Sequence, residues 1–361
     1  MEWVFILIEF MLCYKYMKYL KIINAFIYLS ITLIVSTVIN YLFMDASIVT
    51  GDIFEILKPI IYLIMFYSIY TAVNVNEESK KYLSIILLFL FVILALIMIL
   101  QYLEIGIAEK LATYSLTEER IEEFQGNRSV GTIGNPNAAG AIINFGIILA
   151  YSIDFKKFKI IKYITLVILS LAVVITGSRT ALIALILIYL TILIKDYKKI
   201  LKINPIYIIT AIIIFNFYII SDLLNHSISD RFELNEQSMQ SFQDRLEAWD
   251  MTLALSLDNI IFGYGPNKGG FDLSSNVDNE IVLVLYRTGI IGVIIFINWI
   301  YNLSNLIPIY FNTIKICIFM NVFVTLFAGS MFYNFRIYSV FLLVLVFFSN
   351  KNFRIDELRF K

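Results

Sequence analysis

Runs of apolar residues recur along almost the whole of this 361-residue chain, and roughly twenty such residues are what an α-helix needs to cross the hydrocarbon core of a bilayer. No polar stretch between them is long enough to bury a core of its own. The chain therefore reads as an all-α polytopic membrane protein, a single integral domain over residues 1–361. Composition agrees: 60% of residues are hydrophobic and only 16% charged, which excludes an ordinary soluble enzyme. Cys13 and Cys317 fall inside apolar runs far apart in sequence, as small buried hydrophobes do, and not as a disulfide framework would. His226 is the sole histidine, which disfavours a histidine-based metal site or catalytic dyad.

Lysines orient the runs, because cytoplasmic turns collect positive charge. Apolar runs lie at 3–14, 22–43, 53–73, 82–103, 136–153, 160–176, 180–194, 203–220, 281–300, 316–333 and 337–348. Lys15, Lys18 and Lys21 mark the first inside turn, and Lys80, Lys81, Lys156, Lys157, Lys195 and Lys198 mark later ones. About eleven spans (10 to 12), with the N-terminus outside, satisfy every basic turn. The stretch 221–280 then becomes a large external loop, and no internal repeat interrupts the series.

The two basic residue types segregate in this topology. Of 19 lysines, 16 fall inside, the exceptions being Lys58, Lys110 and Lys268. Of nine arginines, only Arg354 and Arg359 do; Arg120, Arg128, Arg179, Arg231, Arg245, Arg287 and Arg336 sit in external turns or near external helix ends. A guanidinium offers a planar fork for phosphate or carboxylate and stays charged at any ordinary pH.

Several of these arginines stand beside special backbone. Arg128 precedes two glycines and Asn135-Pro136, which predict an N-cap and first helical residue, so exposed N–H groups and a positive helix end lie near it. Arg179 follows a tight turn at Gly177-Ser178. Within the loop, Phe242, Leu246, Trp249, Leu253 and Leu257 form one apolar stripe, predicting an amphipathic helix over 242–257 on the outer membrane surface with Trp249 at headgroup level. Gly263-Tyr264-Gly265-Pro266 imposes a turn, and Tyr264 is placed to stack on a sugar face. Asp278, Asn279 and Glu280 stand where the chain re-enters the membrane. Asp278 or Glu280 there serves either as general base for a hydroxyl or as part of a helix cap, with Asp278 at the N-cap; both readings stay open. Arg287 lies about two turns deeper, where an unpartnered charge is costly, and Glu280 seven residues earlier is a possible partner on the same face.

Taken in order, Arg128 to Asn137 (R-S-V-G-T-I-G-N-P-N), Gly177 to Ala181 (G-S-R-T-A), Arg245 to Trp249 (R-L-E-A-W), Phe262 to Gly265 (F-G-Y-G) and Asp278-Asn279 ahead of Gly289-Ile290-Ile291-Gly292 resemble the O-antigen ligase and polymerase superfamily, which includes Wzy-type repeat-unit polymerases. The resemblance covers about residues 128 to 292. It implies a GT-C-like, inverting glycosyltransferase that uses no metal or other cofactor and works on undecaprenyl-diphosphate-linked glycans at the outer face of the cytoplasmic membrane. It further implies that Arg128, Arg179 and Arg245, with Arg287 a further candidate, bind the donor diphosphate, and that Tyr264, Trp249 and Asn279 lie on the sugar side. Fixed guanidinium groups can stabilise the charge of a departing lipid diphosphate. In the ligase branch a histidine commonly stands at the place of Asp278, and its absence favours a polymerase. The partners implied are the lipid-linked donor and acceptor, membrane lipid, a flippase and a chain-length regulator, with no nucleic acid. The alternatives are a ligase to lipid A core or protein and, from another class, a flippase or transporter; transporters usually place polar breaks near midplane in paired halves, and this chain shows none.

Overall fold

The structure, a computed structural model, describes residues 20–43, 48–74, 77–113, 128–153, 159–200, 236–267, 277–329 and 331–349. The runs expected at 3–14 and 203–220, much of the 221–280 loop, and Cys13, Arg120, His226 and Arg231 lie outside them. Every regular element among the described residues is helical: α1 (Leu20–Phe43), α2 (Thr50–Asn74), α3 (Glu77–Tyr102), α4 (Gly106–Thr113), α5 (Pro136–Ser152), α6 (Lys159–Ile175), α7 (Arg179–Ile200), α8 (Glu236–Asp258), α9 (Glu280–Ser304), α10 (Asn312–Ala328) and α11 (Phe335–Phe348), with a 3-10 turn at Ile309–Phe311. Among the described residues, five segments are long and apolar enough to cross a membrane: Ile23–Phe43, Thr50–Val73, Lys80–Tyr102, Glu280–Ser304 and Ile309–Phe327. This is a multi-pass membrane protein. Helix α4 falls in a stretch read only as polar, and α10 stops at Ala328 where a span to 333 is expected, leaving Tyr333 in the connection to α11.

The chain divides into two compact units. The one formed by Lys80–Gln240, Ile309–Thr325 and Lys351–Lys361 is built on α5, which packs against α6 and α7. Asn135 caps α5 by accepting from the Ala138 N–H, and Pro136 is its first residue, as the sequence predicts. The helix is buried on nearly every side, so it reads as apolar all round. Its buried Asn144 donates to the Ala181 carbonyl at 3.0 Å and to Asn321 Oδ1 at 3.3 Å, and Asn321 donates to the Ala141 carbonyl at 3.0 Å. Such amide bonds tie helices together where apolar surface alone confers little preference. Cys317 is buried with its thiol toward the Ile188 carbonyl, the small-hydrophobe role expected of it.

The other unit comprises Met1–Ser79, Ser241–Pro308 and Leu326–Asn350. Within it α1 packs against α2 and α9, and α2 against α11. The outward face of α1, with Tyr28, Ile31, Ile34 and Val38, is exposed and apolar, as a lipid-facing helix requires. Helix α9 does not run unbroken as expected. It is interrupted at Gly289, whose φ of 64° and ψ of −168° no other residue adopts readily. The segment Phe262–Gly265 takes up the backbone groups released there. Tyr264 and Gly265 N–H groups donate to the Tyr286 and Arg287 carbonyls, and the Ile290 N–H donates to the Ile260 carbonyl, each at 2.8 Å. On its other side the segment's carbonyls at Phe262 and Tyr264 accept from Ser36 and Asn40 of α1, and that of Gly263 accepts from Asn259. A Cβ on Gly263 would lie 2.6 Å from the backbone of Arg287, Thr288 and Gly289, and one on Gly289 would collide with the Ile261 carbonyl.

Gly289→Ala combines a forbidden conformation with a backbone collision, so it should lower stability by about 3 kcal/mol or more. Thermal unfolding of the detergent-purified protein checks this, with Gly106→Ala as the control, since a Cβ at Gly106 meets only open space.

Candidate active site

Asn279 holds the N-cap of α9: its side-chain oxygen accepts from the Ile281 N–H at 3.0 Å and the Val282 N–H at 3.2 Å. This corrects the reading of Asp278 as the cap. Asp278, one residue earlier, is left to pair with Arg245 of α8 at 3.2 Å, the two side chains remaining 42% and 36% exposed. Burial pushes the Asp278 carboxyl above the ordinary carboxylate range, and the Arg245 guanidinium pulls it partly back. A carboxylate so placed, reachable yet partly desolvated, has the properties of a general base.

Helix α8 reaches Asp278 because it is rotated relative to its apolar stripe. Leu246, Leu253 and Leu257 are exposed, whereas Thr252 and Ser256 are buried. Their hydroxyls donate one turn back, to the Ala248 and Thr252 carbonyls, which removes the cost of burying them. Trp249 is partly buried and packs with Tyr333 against Val277, Val282 and Leu283. The helix is also longer than the expected 242–257, beginning at Glu236.

Beneath this pair lies a buried charge cluster that the sequence does not reveal. Arg287, 1% exposed, pairs with Glu55 of α2 at 3.4 Å, and its guanidinium lies over the Tyr333 ring, 4.0 Å from the centroid. Glu55 also binds Lys58 at 2.6 Å, and Lys58 donates to the Tyr333 carbonyl at 3.1 Å. Glu280, fully buried, accepts from the Phe332 N–H at 3.0 Å through Oε2, and the Phe332 carbonyl accepts from the Tyr62 hydroxyl at 2.8 Å. Glu55 thus stands between two cations, Arg287 and Lys58. The expected Glu280–Arg287 link is replaced by Glu55 as the direct partner. Lys58, an exception among the external lysines, is drawn in by the same carboxylate.

Tyr264 is half-buried and stacks on Tyr286 with centroids 5.1 Å apart, so one face of its ring is occupied. The Asn279 oxygen is committed to the cap. In the unit built on α5, Arg128 donates from Nε to the Thr176 carbonyl at 2.9 Å and from Nη2 to Asn137 at 3.2 Å, holding the turn that precedes α7. Arg179, exposed, is the first residue of α7, directly after Gly177 at φ 59° and Ser178.

All of this describes a multi-pass membrane protein, helical in every regular element among its described residues, with a paired carboxylate and arginine ahead of the broken helix α9 and a buried charge cluster along it. Residues 164–297 match the Wzy_C family model, described as O-Antigen ligase. With that match the chain's resemblance to the O-antigen ligase and polymerase superfamily stands, and members of the family are glycosyltransferase-like enzymes. Arg179, Arg245, Asp278, Glu280 and Arg287 fall inside the matched segment; Glu55, Lys58, Arg128 and Tyr333 fall outside it. Neither a curated protein nor a solved structure matches the chain.

Arg287→Met leaves Glu55 with Lys58 as its one remaining cation, so it should cost up to about 3 kcal/mol. The double variant Glu55→Gln/Arg287→Met should cost less than the sum of the two single changes, which a double-mutant cycle on thermal unfolding measures.

Proposed function

We propose that the chain polymerises undecaprenyl-diphosphate-linked oligosaccharide repeat units of a surface glycan, O-antigen, capsule or exopolysaccharide, at the outer face of the cytoplasmic membrane. The observation that carries this reading is Asp278, which is free of the cap, partly exposed and paired with Arg245. In the proposed reaction Asp278 takes the proton of an acceptor hydroxyl on the incoming repeat unit. The hydroxyl oxygen attacks the anomeric carbon of the donor glycan with inversion, the bond from that carbon to the diphosphate oxygen breaks, and the lipid diphosphate leaves with the electron pair. Arg245, Arg128 and Arg179 are proposed ligands of that diphosphate, their charge opposing the negative charge that develops. Arg287, buried and spent on Glu55 and Tyr333, is assigned to holding α9, and Glu280 to the same task. Tyr264, Trp249 and Asn279 remain proposed sugar-side residues, Tyr264 through its open ring face. About eleven spans in a GT-C-like arrangement, with a flippase and a chain-length regulator as partners, complete the proposal. The ligase reading stands second, favoured by the description of the matching family.

Cells lacking the protein should accumulate single lipid-linked repeat units in place of a ladder when lipid-linked and surface glycans are separated. Full-length polymer stranded on its carrier would mean a ligase, and repeat units trapped on the cytoplasmic face a flippase.

Asp278→Asn should abolish polymer while leaving membrane insertion intact, and Arg179→Ala or Arg245→Ala should do the same. With purified protein the rate should rise with pH as Asp278 loses its proton, its acid limb lying above the ordinary carboxylate range. Any residual activity of Arg245→Ala should show that limb at higher pH, because the charge that lowers the Asp278 value is gone. Arg245→Lys should leave the limb nearly in place.

A further inference from the structure

The nine residues Glu280–Thr288 form a helical stub, separated from the rest of α9 by the break at Gly289, and Asp278 stands just ahead of it. A stub of this length on a glycine joint has no helical continuity to fix its direction, so its place depends on side anchors. Three are present. The Tyr264 and Gly265 N–H groups hold its last carbonyls, Glu280 holds the Phe332 N–H, and Arg287 is clasped between Glu55 and the Tyr333 ring. The first two are neutral-donor bonds of ordinary strength, whereas the third joins two charged groups in a buried setting, where such bonds are stronger. Glu55 is 8% exposed and 232 residues from Arg287 in sequence. Lys58, at 2.6 Å, fixes the Glu55 carboxylate in turn.

We propose that Glu55 is a positioning residue for the glycosyl transfer: through Arg287 it sets the direction of the Glu280–Thr288 stub and hence the place of Asp278. It touches no substrate. This rests on the reading of Asp278 as the base, and nothing in the matched family segment includes Glu55.

Two readouts test it. Spin labels introduced through Phe54→Cys, an exposed site on α2, and Asp278→Cys, in a background of Cys13→Ser and Cys317→Ala, report the separation of stub and α2 in the full-length protein without requiring activity. The distribution should be narrow with Glu55 present, and shifted or broadened with Glu55→Asp, which keeps the charge but draws it back by one methylene. Glu55→Gln gives the larger change at temperatures where it stays folded. Separately, with Asp278 intact, Glu55→Asp should lower kcat for a lipid-linked repeat unit by about 10- to 100-fold, the range expected for a misplaced catalytic group. KM should stay within about twofold and the pH limb in place. An unchanged distance distribution overturns the proposal whatever the activity. A changed distribution with unchanged kcat upholds Glu55 as the anchor of the stub and defeats Asp278 as the base. A fall in kcat that merely tracks the folded fraction, with KM and distance unmoved, reduces Glu55 to a stabilising residue and also overturns the proposal.

Discussion

A helix that breaks within a membrane-spanning segment must find protein partners for the backbone groups it releases, because lipid offers none and each orphan costs several kcal/mol. Around Gly289 neighbouring backbone supplies such partners. The carbonyls of Tyr286 and Arg287 receive the Tyr264 and Gly265 N–H groups, and the Ile290 N–H finds the Ile260 carbonyl. The inserted segment would itself present orphans, and its carbonyls are met by Ser36, Asn40 and Asn259. Glycines at 263 and 289 are what let the two backbones approach, since a Cβ on either would strike the other strand of chain. The break therefore depends on α1, the 262–265 turn and α9 together.

The buried charges follow from the same break. Arg287 lies two residues from Gly289, and a guanidinium there is tolerable only with a carboxylate beside it and an aromatic face against it. Glu55 and Tyr333 supply these, Lys58 balances the carboxylate, and the Phe332 peptide is gripped by Glu280 on one side and Tyr62 on the other. Polar groups thus gather where α2 and α9 begin, where α1 approaches its end and where the chain enters α11. The outward face of α1, by contrast, is apolar.

Local signals in the sequence were legible and distant pairings were not. Asn135-Pro136 marks a helix start because capping needs only neighbouring residues, and α5 begins at Pro136. The turn at Gly177-Ser178 and the non-helical Gly263 to Gly265 are equally local. Apolar length placed α1, α2, α3 and α9 to within a few residues, since burial in lipid asks only for a run of the right length. The F-G-Y-G and G-I-I-G motifs were visible as separate pieces, but their union is a backbone contact that side-chain patterns do not encode. Glu55 carries no local signal, because its partner lies 232 residues away, and in an otherwise apolar helix an acid near the start looks like a favourable dipole contact. The rotation of α8 was misread for a related reason: Thr252 and Ser256 count as polar in any periodicity, yet their hydroxyls are satisfied within the helix and can face inward.

The same accounting separates arginines that a sequence treats alike. A guanidinium can serve a charged substrate only if binding that substrate costs the fold little. Arg287 fails this condition, since drawing it off would leave Glu55 with Lys58 alone, uncover the Tyr333 ring and free the stub. Arg245 meets it: its partner Asp278 is partly exposed, and water can replace the pair at small cost. Ligand-side arginines in such a protein are therefore to be sought among those whose carboxylate partners reach solvent, and structural ones among those whose partners do not. On that criterion the Arg245–Asp278 pair is one that water or a ligand can open at small cost, and the Glu55–Arg287 pair is one that the fold must keep.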